Sequence, residues 1–282
     1  MAMNRMKPSF FIIGERKCGT SSLFRYLCSH PQILPGKLKE SNFFRNSMSY
    51  IDKYLDQYYE LFPSLDDKEA INHWPELDEN GEVFHTDLVF PIKDGVKYQT
   101  GEGSANVFST VDPRKLKKHL PDIKLILILR DPVERAFSHH AMHQRFKKEG
   151  RSGFQWVTSL KTSLFFERMV MKFGIDGPYI SPGRYVVYLK NWLKYFPLEQ
   201  FFILEMTDLS SVEKANSILN KLGAFLGIDY HDYSSILSKK FNVSGAGSMH
   251  PELALKLGNF YKSYDLELEE LLNRKFTWTN GI

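Results

Sequence analysis

PSFFIIGERKCGTSSLFRYLCS, residues Pro8 to Ser29, is the stretch on which the fold turns. Phe10 to Ile13 is an apolar run with strand character, Gly14 and Gly19 bound a short loop, and Thr20 to Ser22 place hydroxyls and amides where a helix begins. Ser21 to Ser29 then reads as that helix, with Leu23, Tyr26 and Leu27 on one face and Pro31 as its stop. A strand, a glycine-bounded loop and a helix in this order aim backbone N–H groups and the positive end of the helix dipole at one point. The expected occupant of such a turn is a phosphate.

The spacing of Gly14 and Gly19 is that of a P-loop, but a nucleoside-triphosphate hydrolase would carry lysine at position 20, followed by a hydroxyl residue. Here position 20 is Thr20, and the cation is Lys17, inside the loop. A nucleotide kinase would also have to hold Mg²⁺ across two phosphates.

Working outward, the 282 residues are 43% apolar and 14% aromatic, enough for a full core and one folded domain. The longest purely aliphatic run, Leu125 to Leu129, is far short of a membrane span, and only four apolar residues separate Ser9 from Gly14. No signal peptide, anchor or membrane partner is expected. Cys18 and Cys28 are the two cysteines, which excludes a disulfide framework or zinc spacing and fits a reducing cytoplasm. The net charge of +4 conceals an asymmetry: residues 51–94 hold twelve Asp or Glu against three Lys, a net of −9, so the remainder carries +13. That excess suits a polyanionic nucleotide and is too dispersed to argue for nucleic acid.

Glu40 is the one carboxylate in Pro35 to Asn46, set between Lys37, Lys39 and Arg45. Tyr50 to Phe62 reads as a helix, and Leu65 to Val96 as an irregular acidic stretch containing Pro75, Asn80-Gly81 and Pro91. Lys97 to Gly101 is a short strand leading to Glu102, and Asp112-Pro113 opens a basic helix that Pro121 closes. The run from Ile123 to Leu129 is apolar on both faces, as a central strand of a parallel sheet must be. Arg130 stands at its carboxyl end, and Asp131 with Glu134 starts the next helix. His139 and His140 lie on that helix, but adjacent helical residues point about 100° apart, which favours packing over metal ligation. Gly153 to Val170 is read as an amphipathic helix, and a second helix after Gly183 buries Tyr188, Leu189, Trp192 and Phe196. Phe201 to Glu205 is a buried strand, Ser211 caps a helix reaching Leu226, and a last helix follows Pro251.

Arg16-Lys17-Cys18-Gly19-Thr20 resembles the 5′-phosphosulfate loop of sulfotransferases that use 3′-phosphoadenosine 5′-phosphosulfate (PAPS), above all the heparan sulfate and related bacterial enzymes. A sulfuryl group carries less charge than a phosphoryl group and can be transferred by lysine and hydroxyl donors alone. The string RDPVERAFS is similar to the family segment that binds the 3′-phosphate through an arginine and a serine eight residues on, here Arg130 and Ser138. Glu40 before Phe43-Phe44 matches the placement of the family's general base, and NRKFTW, from Asn273 to Trp278, is family-like as well. The resemblance covers most of the chain outside residues 63–97.

It implies a single α/β domain over residues 1–282, with a mainly parallel central sheet flanked by helices in the P-loop, nucleotide-kinase-like sulfotransferase fold, and an acidic substrate-lid insertion at about 63–97. Glu40 and Lys17 are the catalytic candidates. Arg16, Lys17, Cys18, Gly19, Thr20, Ser21, Ser22, Arg130 and Ser138 would bind PAPS. Gly247 would add a backbone contact from the loop before His250-Pro251, where relatives carry flanking lysine and arginine. Glu102 and His140 are the substrate-side candidates, although Gly103 stands where relatives often have lysine, and Trp74 and Phe84 would line the acceptor. The implied reaction is sulfuryl transfer, without a metal, from PAPS to a hydroxyl of a small neutral or cationic acceptor such as a natural product, giving 3′,5′-adenosine bisphosphate. N-sulfation and glycan O-sulfation are the alternatives within the family. A nucleotide kinase and a catalytically dead nucleotide-binding module are those outside it.

Overall fold

The computed structural model describes residues 5–77, 83–238 and 249–279. In chain order its elements are β1 (Phe10–Ile12), α1 (Thr20–Cys28), α2 (Met48–Tyr59), β2 (Glu69–Leu77), β3 (Val83–Pro91), β4 (Gly101–Gly103), α3 (Val107–Thr110), α4 (Pro113–His119), β5 (Lys124–Leu129) and α5 (Pro132–Lys148). There follow α6 (Leu160–Met171), α7 (Tyr185–Trp192), β6 (Phe201–Glu205), α8 (Val212–Leu226), α9 (Ser234–Leu237) and α10 (Pro251–Leu272). Among the described residues no helix is long and apolar enough to cross a membrane. The chain forms two compact units interleaved in sequence, the first from 5–15, 19–129 and 193–238, the second from 16–18, 130–192 and 249–279.

The first unit holds the central sheet, in the order β4-β1-β5-β6, with every pairing parallel. Leu125 to Leu129 are completely buried, as a strand covered on both faces requires. Each of these side chains gains roughly 1.5–3 kcal/mol from leaving water. The helix starts follow local chemistry: Asp112 caps α4 by accepting from the Arg114 amide (3.0 Å), and Ser211 caps α8 by accepting from the Lys214 amide (3.3 Å). Strands β5 and β6, and helices α4 and α8, fall where the sequence puts them.

The strand expected over Lys97 to Gly101 is found instead at Gly101–Gly103, and two larger expectations are corrected. The acidic stretch at 65–96 is not irregular: β2 and β3 pair as an antiparallel hairpin, with His73 opposite Asp87 and Trp74 opposite Thr86. The connecting sequence contains Asn80-Gly81, a strong hairpin signal. The other correction is in the second unit, where α6 begins at Leu160 rather than near Gly153. Gly153 has a left-handed φ of 86°, Gly153 O accepts from Trp156 Nε1, and Ser159 caps the helix by accepting from the Thr162 amide (3.2 Å). That unit is built from α5, α6, α7 and α10. At its centre, buried Glu167 of α6 accepts from the amides of Tyr179 (2.8 Å), Ile180 (2.6 Å) and Ser181 (2.9 Å).

Candidate active site

In the first unit, β1 delivers the chain to Gly14, where a side-chain carbon would lie 2.7 Å from Ile128 Cγ2 and 2.9 Å from the Ile128 carbonyl. Glycine is therefore required for the loop to leave the sheet between β1 and β5. Gly19, at φ 93°, is the N-cap of α1 and, among the described residues, no side chain caps that helix. The first-turn amides of Thr20, Ser21 and Ser22 thus carry the helix's positive end with no capping oxygen, which is the arrangement an anion completes.

The segment bearing Glu40 is fixed on three sides within this unit. Phe43 stacks on Tyr58 at 4.7 Å and Phe44 packs against Phe11 at 6.3 Å, so the phenylalanine pair belongs to the core. The Gly103 amide donates to Lys39 O at 2.9 Å. From the hairpin, Asn72 Nδ2 donates to Gly36 O (2.6 Å) and the His73 amide to Lys37 O (2.8 Å). Buried Lys39 gives its ammonium both to Gly103 O (2.9 Å) and to Glu40 Oε1, and so aims the half-exposed Glu40 carboxylate. Glu40 lines a cavity of about 310 Å³ together with Ser21, Leu38, Lys39, His73, Trp74 and His85.

Glu102, on β4, is buried behind that wall. Its Oε2 accepts from the Ser41 amide (3.0 Å) and its Oε1 from Tyr58 OH (3.3 Å). Burial, and to a smaller degree the neighbouring Glu40 charge, push its carboxyl up to about 7 in spite of these donors. Trp74 lies parallel to Phe24 at 6.2 Å and under Arg25 at 5.0 Å, so it serves the core and the cavity wall at once.

The second unit gathers cations. Lys17 adopts a left-handed φ of 70°, rare for a residue with a side chain, and its carbonyl accepts from Arg130 Nη1 at 3.1 Å. Burial first, then the Arg145 and Arg130 charges, lower the Lys17 pKa. Repelling, partly desolvated cations of this kind are what a polyanion neutralises. Among the described residues, the Arg130 guanidinium also pairs with exposed Glu134 at 3.2 Å, a contact weak enough for a phosphate to displace. Ser138 is 3% exposed and, among the described residues, its Oγ has no hydrogen-bond partner. Such an orphaned hydroxyl costs about 1–3 kcal/mol until a ligand satisfies it. Cys18 is buried, its sulfur 3.7 Å from Tyr185 OH, and that hydroxyl donates to Arg130 O at 2.8 Å. The thiol thus pins the loop to α7.

The histidines of α5 are packed. His140 Nε2 donates to Thr158 O (2.9 Å), His139 Nδ1 donates to Pro178 O (2.9 Å), and His143 Nδ1 hydrogen-bonds Tyr179 OH (2.9 Å). Burial lowers all three, His139 to about 2 and His143 to about 4, with Arg16 contributing to both of those shifts. His140 is thus held by Thr158, while Arg16 adds its charge to the same unit. Among the described residues no group of three or more His, Cys, Asp or Glu is placed to share a metal ion. Phe84 is placed by its backbone on β3, opposite Glu76, and Gly247 lies outside the described residues. Sequence reasoning missed His73, His85 and the anchoring role of Asn72. The Asn80-Gly81 signal would have found the hairpin that carries them.

The chain has relatives among known proteins. A family model for the sulfotransferase domain matches residues 7–243, and the chain belongs to that family. It is 26% identical to the membrane-associated sulfotransferase kil1 of Dictyostelium discoideum, over 97% of this chain and 67% of that protein. It is 27% identical to the bifunctional heparan sulfate N-deacetylase/N-sulfotransferase 3 of Mus musculus, over 95% of this chain but only 30% of that protein's length. The crystal structure of a sulfotransferase from Alicyclobacillus acidocaldarius superimposes with a TM-score of 0.66 at 25% identity, covering 97% of this chain and 99% of that one. Mouse SULT7A1, complexed with PAP, shares the fold at a TM-score of 0.51 and 13% identity, covering 95% of this chain and 86% of that one.

Proposed function

We propose that the chain transfers the sulfuryl group of PAPS to a hydroxyl of a small acceptor by in-line displacement. The observation that carries this reading is that Ser21 of the anion loop and Glu40 line one cavity. The acceptor oxygen attacks sulfur, the bond from sulfur to the bridging phosphate oxygen breaks, and 3′,5′-adenosine bisphosphate leaves. Glu40 takes the acceptor proton, and Lys17 stabilises negative charge on the departing oxygen. The first-turn amides of α1 and the hydroxyls of Thr20 to Ser22 suit the 5′-phosphate, while Arg130 and the unsatisfied Ser138 hydroxyl suit the 3′-phosphate.

We infer the acceptor from the hairpin: its His73, Trp74 and His85 line the cavity beside Glu40, and the net negative charge of residues 51–94 would disfavour sulfated polyanions there. The cavity's size and its Trp74, His73 and His85 walls favour a small neutral or cationic acceptor. An amine is the second candidate, favoured by the similarity to N-sulfotransferases.

The test is ligand choice in a thermal-shift measurement without divalent metal. Stabilisation by 3′,5′-adenosine bisphosphate and not by ATP with Mg²⁺ is expected; the reverse ranking would reassign the chain to nucleotide kinase chemistry.

A further inference from the structure

Helix α6 is built inside out. Its inward side carries Ser163, Leu164 and Glu167, with the Glu167 carboxylate spent on three backbone amides, while Phe165, Phe166 and Met169 face solvent. Phe165 is 60% exposed, and beyond the helix end Phe173 is 80% and Ile175 57% exposed. Trp156 adds a further exposed ring on the segment before the helix. Single exposed apolar residues are ordinary, but a run of this size within twenty residues marks an interaction surface.

The charge around it identifies the partner. Between residues 151 and 175 the sequence has four cations, Arg151, Lys161, Arg168 and Lys172, and a single carboxylate, the buried Glu167; Arg151 is already paired with Glu149, so Lys161, Arg168 and Lys172 are the three that count. At about 100° per residue, Lys161, Arg168 and Lys172 fall together on one flank of the arc formed by Phe165, Phe166 and Met169. Asp176, just beyond, is paired with Arg184. A two-fold pairing of this face with a second copy would set Arg168 and Lys172 against their own counterparts, the exposed Glu252 of α10 acting on Lys161 alone among these three. An anionic bilayer satisfies both halves of the surface: rings enter the boundary between headgroups and acyl chains, and ammonium groups meet lipid phosphates and carboxylates.

We propose that the α6 face seats the protein on the surface of an anionic membrane. A helix of twelve residues lies in the interface and does not span it. Co-sedimentation of the full chain with phosphatidylcholine vesicles, with and without phosphatidylserine, tests this. Binding to the serine-containing vesicles is expected, weakening as salt rises. Phe165→Ser with Phe173→Ser should reduce that partitioning at least about tenfold, and Lys161→Glu with Lys172→Glu should abolish the preference for anionic lipid. Both side-chain pairs are exposed, so the thermal midpoint of each variant should match the parent's, and nucleotide binding serves as the control for an intact fold. Equal partitioning into the two vesicle types, or none, overturns the proposal. A dimer dissolved by the phenylalanine substitutions, in a protein that ignores vesicles, would assign the face to a second copy instead, and capture of an acidic protein without lipid binding would likewise overturn it.

Discussion

Glu40 and Glu102 belong to one compact unit and share a backbone neighbourhood, since Ser41 follows the first and donates to the second. Their surroundings differ sharply. Glu40 stands half-exposed in a cavity wall with an ammonium beside it, whereas Glu102 sits on a buried strand where tyrosine and amide donors only partly offset desolvation. The pair sets two carboxylates in contrast: the proposed base has a cation beside it and an opening in front of it, whereas Glu102 has neutral donors and no water.

The sharpest way to break the comparison is to exchange roles. Glu40→Gln keeps the shape of the wall and removes its basicity, so kcat should fall by about 10²- to 10⁴-fold with nucleotide affinity unchanged; steady-state kinetics beside calorimetry checks both. Near-normal turnover would move the base to Glu102 and invert the comparison.

Glu102→Gln should act on stability. A carboxyl raised from 4.5 to about 7 binds its proton more tightly folded than unfolded, so the folded state is favoured at the acid end of that window and loses support as pH climbs through it. The associated change is about 3 kcal/mol between pH 4.5 and 7. Asp265 in the second unit, also pushed up to about 7, contributes its own slope to the parent, so the difference between parent and variant in urea titrations at stepped pH isolates Glu102. A variant as pH-sensitive as the parent would show that Glu102 titrates normally.

A smaller effect probes the acidic charge of the segment after β2. Neutralising Asp78, Glu79, Glu82 and Asp87 together should lower kcat/KM for cationic acceptors by about tenfold and leave neutral ones unaffected. Equal loss for both acceptor types would detach the hairpin's charge from acceptor choice. The smallest effect is Tyr58→Phe, which removes one donor to Glu102 and should cost about 1 kcal/mol while raising the Glu102 pKa further. Urea unfolding and the same pH series read both quantities.

The difference between these carboxylates was only partly open to sequence reading. The candidate base could be picked out by its motif, and the loop, β5 and the capped start of α5 could be placed because apolar runs and punctuating Gly, Pro and Asp residues act locally. Glu102's burial comes from Tyr58 and Ser41, distant in sequence, and nothing near it in the chain announces them. The hairpin escaped for a different reason. Its inward positions are Ala70, Asn72 and Trp74 while Ile71 and Val89 face solvent, so the polarity pattern that identifies a half-buried strand is scrambled. Helix α6 shows the same inversion, with Glu167 inside and phenylalanines outside.

Among the described residues the hairpin pairs with itself: β2 and β3 form their own sheet, joined to the chain ahead of Glu40 by Asn72 and His73. Insertions, deletions and substitutions between Leu77 and Val83 can therefore accumulate without disturbing the register of the parallel sheet. That separation makes the hairpin an evolvable cassette, free to vary while the register of the sheet that carries the anion loop is inherited unchanged.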